Sequence, residues 1–451
     1  MRIEAETLRD KEDSVEPIAT EPEQKGRDGA VAESPAPKPE PRLYRVIWRW
    51  HFYAGLLTLP VLLTAAVTGG IYVFREELER VIYPRLMFVE PQPQRISYNE
   101  QLANVAAALP AGSTMHGISI SDDPARATRV SAEIGQGHYV SVFVNQHTGQ
   151  VLGQFESDRS LFGVILNIHR TLLAGDTGRL IVELATSWGI ILIVTGLYLW
   201  WPRIGKAPGV WLPRLRGKSY VIWRDWHTVP GFYFSLLAFL IMGTGLFFTQ
   251  LFASGYWAVT SEAGIFNPPK SVRKEGAAKL GVDEIIAVAL REQSQKEIHI
   301  DFPATAEDIF KIEAGSNNSP STLTLLRIDQ YSGSTLEAVR WRDISAAEKV
   351  TYSAYAIHIG SIYGLPTKIL AVLVCLMIVA MSVTGAAMWW VRRPRGKTGI
   401  PINPAEVKLA KWVIAVICLL GVLMPAAGIS MILILVGDWL LLFRHRMAKS
   451  A

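Results

Sequence analysis

Cysteine is scarce in this chain of 451 residues, which contains only Cys375 and Cys418. Both lie in apolar stretches, so they are interpreted as small buried hydrophobic residues and not as a disulfide that joins external domains. The start of the chain has no basic segment followed by a short apolar run, so no cleaved signal peptide is expected. A Gly-rich GxGxxG fingerprint is also missing, which argues against a nicotinamide-binding domain within the chain.

Long apolar stretches, in contrast, are abundant, and half of all residues are hydrophobic. A helix of about 20 apolar residues crosses a bilayer. Four stretches reach that length: 52–74, 180–201, 229–252 and 366–391. A fifth, 412–443, contains Pro425 and Gly428 and is either one kinked span or a hairpin of two short helices. Basic residues on both sides of it favour the hairpin, because they place both of its ends on the same side of the membrane.

Lysine and arginine residues orient the spans. They precede the first span, fill the loop 202–227 and follow the fourth span. Such segments face the cytoplasm, which predicts a membrane protein with a cytoplasmic N-terminus. The segments 75–179 and 253–365 then lie outside. The net charge of +5 follows from this topology and requires no nucleic-acid partner. The residues before the first span are rich in Glu, Pro, Lys and Ala, which predicts a disordered tail.

The chain contains an internal duplication. The segments WRWHFYAG and WRDWHTVPG place His51 and His227 directly after a tryptophan, and each histidine is followed at the same spacing by a Thr-Gly pair. His169 and His358 are both followed, at identical spacing, by another Thr-Gly pair and then by Trp-Trp. The Thr-Gly pairs are Thr68-Gly69, Thr244-Gly245, Thr195-Gly196 and Thr384-Gly385. We interpret them primarily as helix-packing residues.

Each external segment also repeats a pattern. The segments 140–152 and 323–336 alternate apolar and polar residues around a turn containing glycine, which predicts a β-hairpin. The spacing of apolar residues in 99–109 and 281–291 predicts a helix before each hairpin. Two small α+β domains are therefore expected outside the membrane.

The two units cross the membrane in the same sense, which predicts a pseudo-two-fold axis along the membrane normal. Equivalent residues face each other across such an axis. His51 is therefore expected to face His227 near the cytoplasmic side, and His169 to face His358 near the external side.

Paired histidines in or near membrane spans are candidates for function, because ionisable groups are costly to bury there. Two imidazoles are too few for a zinc site. They suffice for haem, in which the porphyrin supplies four nitrogens and leaves two axial positions to the protein. For any single histidine beside a tryptophan, a location at the membrane interface is the competing interpretation.

The distance between each external histidine and the end of the following span limits this arrangement. A continuous helix from His169 to Trp200 would measure about 47 Å, which exceeds the ~30 Å hydrocarbon core. We therefore expect a break between each external histidine and the span that follows it. Residues suited to these breaks are Gly175, Gly178, Gly364 and Pro366.

Taken together, the WRWH and WRDWH starts, the NIHR and AIHIG segments, the TG…WW span ends and the VNQHTGQVLG hairpin resemble the PepSY-associated transmembrane proteins. The resemblance covers nearly all of 43–443. The family that the chain resembles includes ferric-siderophore reductases of the bacterial inner membrane. The resemblance implies two b-type haems, with His51, His227, His169 and His358 as axial ligands. The hairpin RIDQYSGSTLEA departs from the first one by having Ser332 where the first has Thr148.

The function that this resemblance implies is transmembrane electron transfer from a cytoplasmic reductase or a quinol to a ferric siderophore or another ferric chelate. The alternative is a non-catalytic protein whose external domains bind peptides or regulate a protease.

The expected fold is a four-helix haem-binding membrane bundle with two α+β PepSY-like domains and a C-terminal helix or hairpin. The predicted divisions are a tail (1–41), span 1 (42–75), external domain 1 (76–160), a histidine segment with span 2 (161–202), a cytoplasmic loop (203–228), span 3 (229–252), external domain 2 (253–345), a histidine segment with span 4 (346–392) and the C-terminal region (393–451).

Overall fold

The structure is a computed structural model that describes residues 42–135, 137–201, 209–262, 269–271, 278–292, 297–315, 320–394, 396, 411–434 and 436–437. Within these ranges, four helices are long and apolar enough to cross a membrane: Leu43–Tyr72, Gly175–Trp200, Ser219–Phe248 and Leu365–Arg392. They correspond to the four predicted spans. The third helix starts at Ser219, well before the predicted residue 229, because its charged first turns and Pro230 are accommodated within the helix. The predicted tail lies outside the described residues.

The elements alternate between helical and β segments along the chain. The helices are α1 (Arg42–Tyr72), α2 (Arg75–Ile82), α3 (Pro84–Met87), α4 (Tyr98–Ala108), α5 (Leu161–Thr171), α6 (Gly175–Trp200), α7 (Ser219–Gly245), α8 (Leu251–Glu262), α9 (Val282–Glu292), α10 (Ala346–His358), α11 (Leu365–Arg392), α12 (Lys411–Leu423) and α13 (Pro425–Ile434). The strands are β1 (Thr114–Ser121), β2 (Thr128–Glu133), β3 (Tyr139–Val144), β4 (Val151–Glu156), β5 (Glu297–Asp301), β6 (Phe310–Ala314), β7 (Thr324–Ile328) and β8 (Thr335–Arg340).

The four long helices form a ring in which α1 and α7 lie diagonally opposite each other. Each of these two helices packs against both α6 and α11. Side chains of very different size meet at the contacts, including Ala54, Trp188 and Met242 in one buried cluster. Close packing of this kind associates helices in lipid, where burial of apolar surface from water contributes little.

The external histidines lie on separate short helices, as expected. Helix α5 ends just after His169, and the chain then turns through Leu172 and Leu173, whose φ angles are 50° and 59°. Helix α10 ends at His358, and the turn before α11 contains Gly360 and Gly364, with φ angles of 69° and 68°. Glycine adopts positive φ without steric cost. The prediction of a break in both units is confirmed.

All eight strands belong to one antiparallel sheet, in the order β4-β3-β2-β1-β5-β6-β7-β8. The predicted hairpins are β3–β4 and β7–β8, and the predicted helices are α4 and α9. The remaining strands were not recognised in the sequence. Strand β1 pairs with β5 in a register centred on Ser119 opposite His299, so the two external segments are joined edge to edge.

One face of the sheet is covered by α4 and α9, and the other is polar. Ile118 and Ile300 are fully buried beneath the two helices. The N-termini of these helices are linked, because Asp283 on α9 accepts hydrogen bonds from the amides of Tyr98 and Asn99 at 2.7 and 3.0 Å. Side chains alternate along a strand, so Ser119, Arg129 and His299 lie on the opposite face.

The C-terminal apolar region folds back on itself. A bend at Met424 separates α12 from α13, and the backbones of Gly421 and Gly428 are in contact across it. This is the geometry of a hairpin and not that of a single span. The hairpin packs against α6, where the indole nitrogen of Trp188 donates a 3.0 Å hydrogen bond to Ser430.

Candidate cofactor site

The first histidine pair lies between diagonally opposite helices of the ring. The imidazole rings of His51 on α1 and His227 on α7 have centroids 6.4 Å apart and planes at 90°. Both side chains are half-buried. The duplication predicted that these two residues would face each other, and the structure brings them together.

The second pair is formed by the two short helices that follow the sheet. His169 at the end of α5 and His358 at the end of α10 have ring centroids 6.0 Å apart and planes at 53°. His169 lies beside Ala65 of α1, which is 14 residues beyond His51. The two pairs are thus separated by about 21 Å along α1, within the ~30 Å thickness of a hydrocarbon core.

Each of the four histidines makes a hydrogen bond through Nδ1. In the first pair, Nδ1 of His51 lies 2.9 Å from Oγ1 of Thr195, and Nδ1 of His227 lies 2.9 Å from Oγ1 of Thr384. The two threonine hydroxyls donate to carbonyls in the preceding helical turn, at 2.8 and 2.6 Å. The threonine oxygens are therefore acceptors, and we assign the imidazole proton to Nδ1.

The second pair is held by backbone carbonyls, and Oγ1 of Thr68 also lies 3.3 Å from Nδ1 of His169. Nδ1 of His169 donates to the Ala65 carbonyl at 2.9 Å, and Nδ1 of His358 donates to the Ile241 carbonyl at 2.8 Å. Ala65 and Ile241 occupy equivalent positions in the two units. In all four rings Nε2 is then the unprotonated nitrogen. A second hydrogen bond of this kind fixes the tautomer and orientation of metal-binding histidines.

The four Thr-Gly pairs lie against the four histidines. A Cβ atom added to Gly69 would lie 2.9 Å from Cε1 of His169, and one added to Gly245 would lie 2.8 Å from Cε1 of His358. The corresponding distances from Gly196 to His51 and from Gly385 to His227 are 3.3 and 3.6 Å. Their repetition at fixed spacing after each histidine is visible in the sequence, but their contact with the imidazoles was not predicted.

The spacing within the pairs fits two axial ligands of one metal. With metal–nitrogen bonds of about 2.0 Å, an ion between two imidazole Nε2 atoms holds the ring centroids roughly 6.2 Å apart. The observed values are 6.4 and 6.0 Å. Within the part of the chain that the structure describes, no group of three or more His, Cys, Asp or Glu side chains is arranged to hold a metal ion. Each pair thus offers two imidazole nitrogens at a spacing that one metal ion could bridge.

Two buried carboxylates organise the surroundings of the bundle. Glu183 on α6 is fully buried and accepts hydrogen bonds from the amides of Gln250, Leu251 and Phe252 at 2.8–2.9 Å, so it caps the N-terminus of α8. Glu183 therefore has a capping role, because unpaired amides at a helix start attract a carboxylate.

Asp225 is the second buried carboxylate, two residues before His227. It accepts hydrogen bonds from the guanidinium groups of Arg214 and Arg224 at 2.6 and 2.8 Å. These contacts fold the basic loop onto the start of α7. The positioning of His227 therefore depends on the loop as well as on the bundle.

These features define a multi-helix membrane protein with paired histidines between its helices. The chain belongs to the PepSY-associated transmembrane family: the family described as the PepSY-associated TM region matches residues 48–392. This range contains all four paired histidines and the whole sheet. No curated protein matches the chain significantly.

Proposed function

We propose that the chain is a transmembrane electron-transfer protein that binds two b-type haems, one between His51 and His227 and the other between His169 and His358, and reduces ferric siderophores or other ferric chelates. The observation that carries this proposal is the spacing of the two imidazole pairs. Both centroid distances lie within about 0.2 Å of the roughly 6.2 Å that two axial nitrogen ligands require.

The protein groups would hold and tune each cofactor. Nε2 of each histidine would supply an axial ligand, while the Nδ1 hydrogen bonds would keep the rings in the required tautomer. The glycines beside the imidazoles would leave room for a flat macrocycle. Bound haems would supply one-electron chemistry at two levels of the membrane.

The direction of transfer follows from the proposed topology. We place the protein in the bacterial inner membrane with its N-terminus in the cytoplasm, because the basic loop containing Arg214 and Arg224 lies at the end of the bundle nearer His51 and His227. The sheet, which we interpret as two PepSY-like domains, would then lie in the periplasm beside His169 and His358. A cytoplasmic reductase or a quinol would supply the electrons.

No proton transfer or bond cleavage at carbon is needed for the reaction. One electron converts chelated Fe(III) to Fe(II), which binds hard oxygen ligands more weakly, so iron is released. The non-catalytic alternative, in which the external domains bind peptides or restrain a protease, gives no reason for four paired histidines that are each held through Nδ1.

Absorption spectroscopy of the purified protein tests the proposal. We expect a haem-to-protein ratio of two and oxidation of the dithionite-reduced protein by ferric chelates. His51→Ala and His227→Ala should each remove one haem, and His169→Ala and His358→Ala should each remove the other. His138→Ala, between β2 and β3, is the matched control and should retain both.

A protein without haem absorbance would contradict the proposal. Loss of both haems, or of neither, in each histidine variant would contradict the pairing. If haem is present but no ferric chelate oxidises it, the proposed cofactors stand and the proposed electron acceptor is wrong.

A further inference from the structure

The polar face of the sheet carries a cluster of arginines on the side near the external histidine pair. Arg129 on β2 pairs in register with Ser119 on β1, next to the β1–β5 junction. Its electrostatic neighbours include Arg75 on α2 and Arg126. Arg75 follows α1 directly, so the cluster lies where the sheet meets the membrane bundle.

The carboxylates of Glu79 and Glu76 are also electrostatic neighbours of Arg129, but neither forms an ion pair with it within the described part of the chain. Arg75 is engaged with Glu79 and with the hydroxyl of Tyr72, both at 2.7 Å. For Arg129, by contrast, no hydrogen bond or ion pair is formed with any residue that the structure describes. Burial and the positive charge of Arg75 lower the pKa of the Arg129 guanidinium. Arginine nevertheless keeps its proton in proteins, so an anion is the group that this position favours.

Tyr355 connects this arginine to the external histidine pair. Its hydroxyl has Arg129 and Arg75 among its electrostatic neighbours. Its ring lies 6.1 Å from that of Phe248, which in turn lies 5.6 Å from the imidazole of His358. Tyr355 is 42% exposed. A molecule that contacts both Arg129 and Tyr355 would therefore be close to His358.

Space for part of a ligand is present beside the cluster. A cavity of ≈ 110 Å³ is lined by residues that include Tyr72, Arg75, Phe155 and Phe162. This volume is below the ~300–1,000 Å³ of pockets that enclose a whole drug-sized ligand. It suits one arm of a larger molecule whose remainder lies against the polar face of the sheet.

We propose that the acceptor is an anionic ferric chelate and that Arg129 binds one of its carboxylate or phenolate oxygens, with Tyr355 between the chelate and His358. Guanidinium groups bind such oxygens strongly, because their planar set of donors matches two acceptor lone pairs. The reduction itself rests on the proposed function: one electron from the cytoplasmic donor converts Fe(III) to Fe(II), the iron–oxygen bonds weaken and iron leaves, and no covalent bond within the chelator changes. Binding of the anion does not depend on the haems.

Binding of redox-silent gallium chelates to the full-length protein in detergent tests the site separately from electron transfer. The probes are Ga(III) citrate, which is anionic, and the Ga(III) complex of the neutral hydroxamate ferrichrome, both measured by calorimetry. We expect Arg129→Gln to weaken citrate binding at least tenfold and Arg129→Lys to weaken it less. Arg340→Gln, on the exposed edge strand β8, is the matched control and should bind like the original protein. Citrate binding should also weaken with added salt.

Three results would overturn the inference: no binding of Ga(III) citrate to the original protein, unchanged binding in Arg129→Gln, or an equal loss for the neutral chelate. Failure of the proposed function has a different signature. Without haem absorbance, or without electron transfer to iron, the charge-selective loss of gallium citrate binding in Arg129→Gln would still be observed.

Discussion

The hydroxyl oxygen of Thr195 lies 2.9 Å from Nδ1 of His51, and Thr384 repeats this contact with His227. The His51 ring is thus oriented by a hydroxyl, whereas the His358 ring is oriented by the Ile241 carbonyl at 2.8 Å. A point mutation can remove a hydroxyl but not a carbonyl. These two histidines should therefore respond differently to mutation of the threonine in the Thr-Gly pair that lies beside each of them.

Thr195→Val removes the acceptor that orients His51. Because such partners typically contribute 10–100-fold to metal affinity, we expect about tenfold weaker retention of one haem, measured by absorbance after dialysis against apomyoglobin. Thr195→Ser should restore it. Thr244→Val is the matched control. The Thr244 hydroxyl bonds to helix carbonyls, and the nearby His358 is held by the Ile241 carbonyl instead. Equal haem loss in both valine variants would refute the assignment.

Gly69→Ala places a methyl group 2.9 Å from Cε1 of His169. The helix or the imidazole must shift, and overpacking of this kind costs about 1–3 kcal/mol. We expect a lower thermal midpoint and an altered spectrum of the haem at the external pair. Gly243→Ala introduces the same methyl group into α7, where nothing lies within 4 Å. If the two variants melt alike, the close approach is not important for stability.

Glu183→Ala leaves three amides at the start of α8 without their carboxylate acceptor. Hydrogen bonds to charged groups contribute about 1.5–3 kcal/mol each, so we expect a loss of at least about 3 kcal/mol in the free energy of unfolding, measured by denaturant titration in detergent. Glu183→Gln should lose less, since it retains one acceptor oxygen. Asp176→Ala, an exposed acidic residue on the same helix, provides the comparison. A stability equal to that of Asp176→Ala would reject the capping role.

Gly117→Val tests the junction between the two halves of the sheet. A Cβ at this position would lie 2.5 Å from the Ile300 carbonyl oxygen on β5, so the pairing of β1 with β5 must open. We expect faster amide hydrogen exchange in 297–301 with unchanged exchange in β3 and β7. Ser141→Val, on a strand away from the junction, is the control. Uniform exchange across the sheet would show that the halves do not separate there.

The membrane spans and the histidine pairs were predictable because they depend on long-range regularities of the sequence. Apolar length identified the helices, and the duplication placed His51 opposite His227 without knowledge of any contact. The break after His169 followed from length alone, since a continuous helix would have been longer than the bilayer core is thick.

The contacts that complete the site were not predictable in this way. The bond between Thr195 and His51 joins residues 144 positions apart in the sequence, and only the packing of α1 against α6 brings them together. Strands β1 and β5 were missed because neither is followed by a short turn with glycine like those of the two predicted hairpins. Their pairing joins two segments that the sequence presented as separate domains.

The β1–β5 junction also bears on the origin of the chain. The pairing is antiparallel, and β1 and β5 are the first strands of their halves in the order β4-β3-β2-β1-β5-β6-β7-β8, so each half presents the same edge to the other. Two identical polypeptides related by a two-fold axis would pair in this way. A precursor half as long would have dimerised through this edge and formed each imidazole pair from two copies of one histidine. Fusion of two such halves would let the two histidines of each pair change independently.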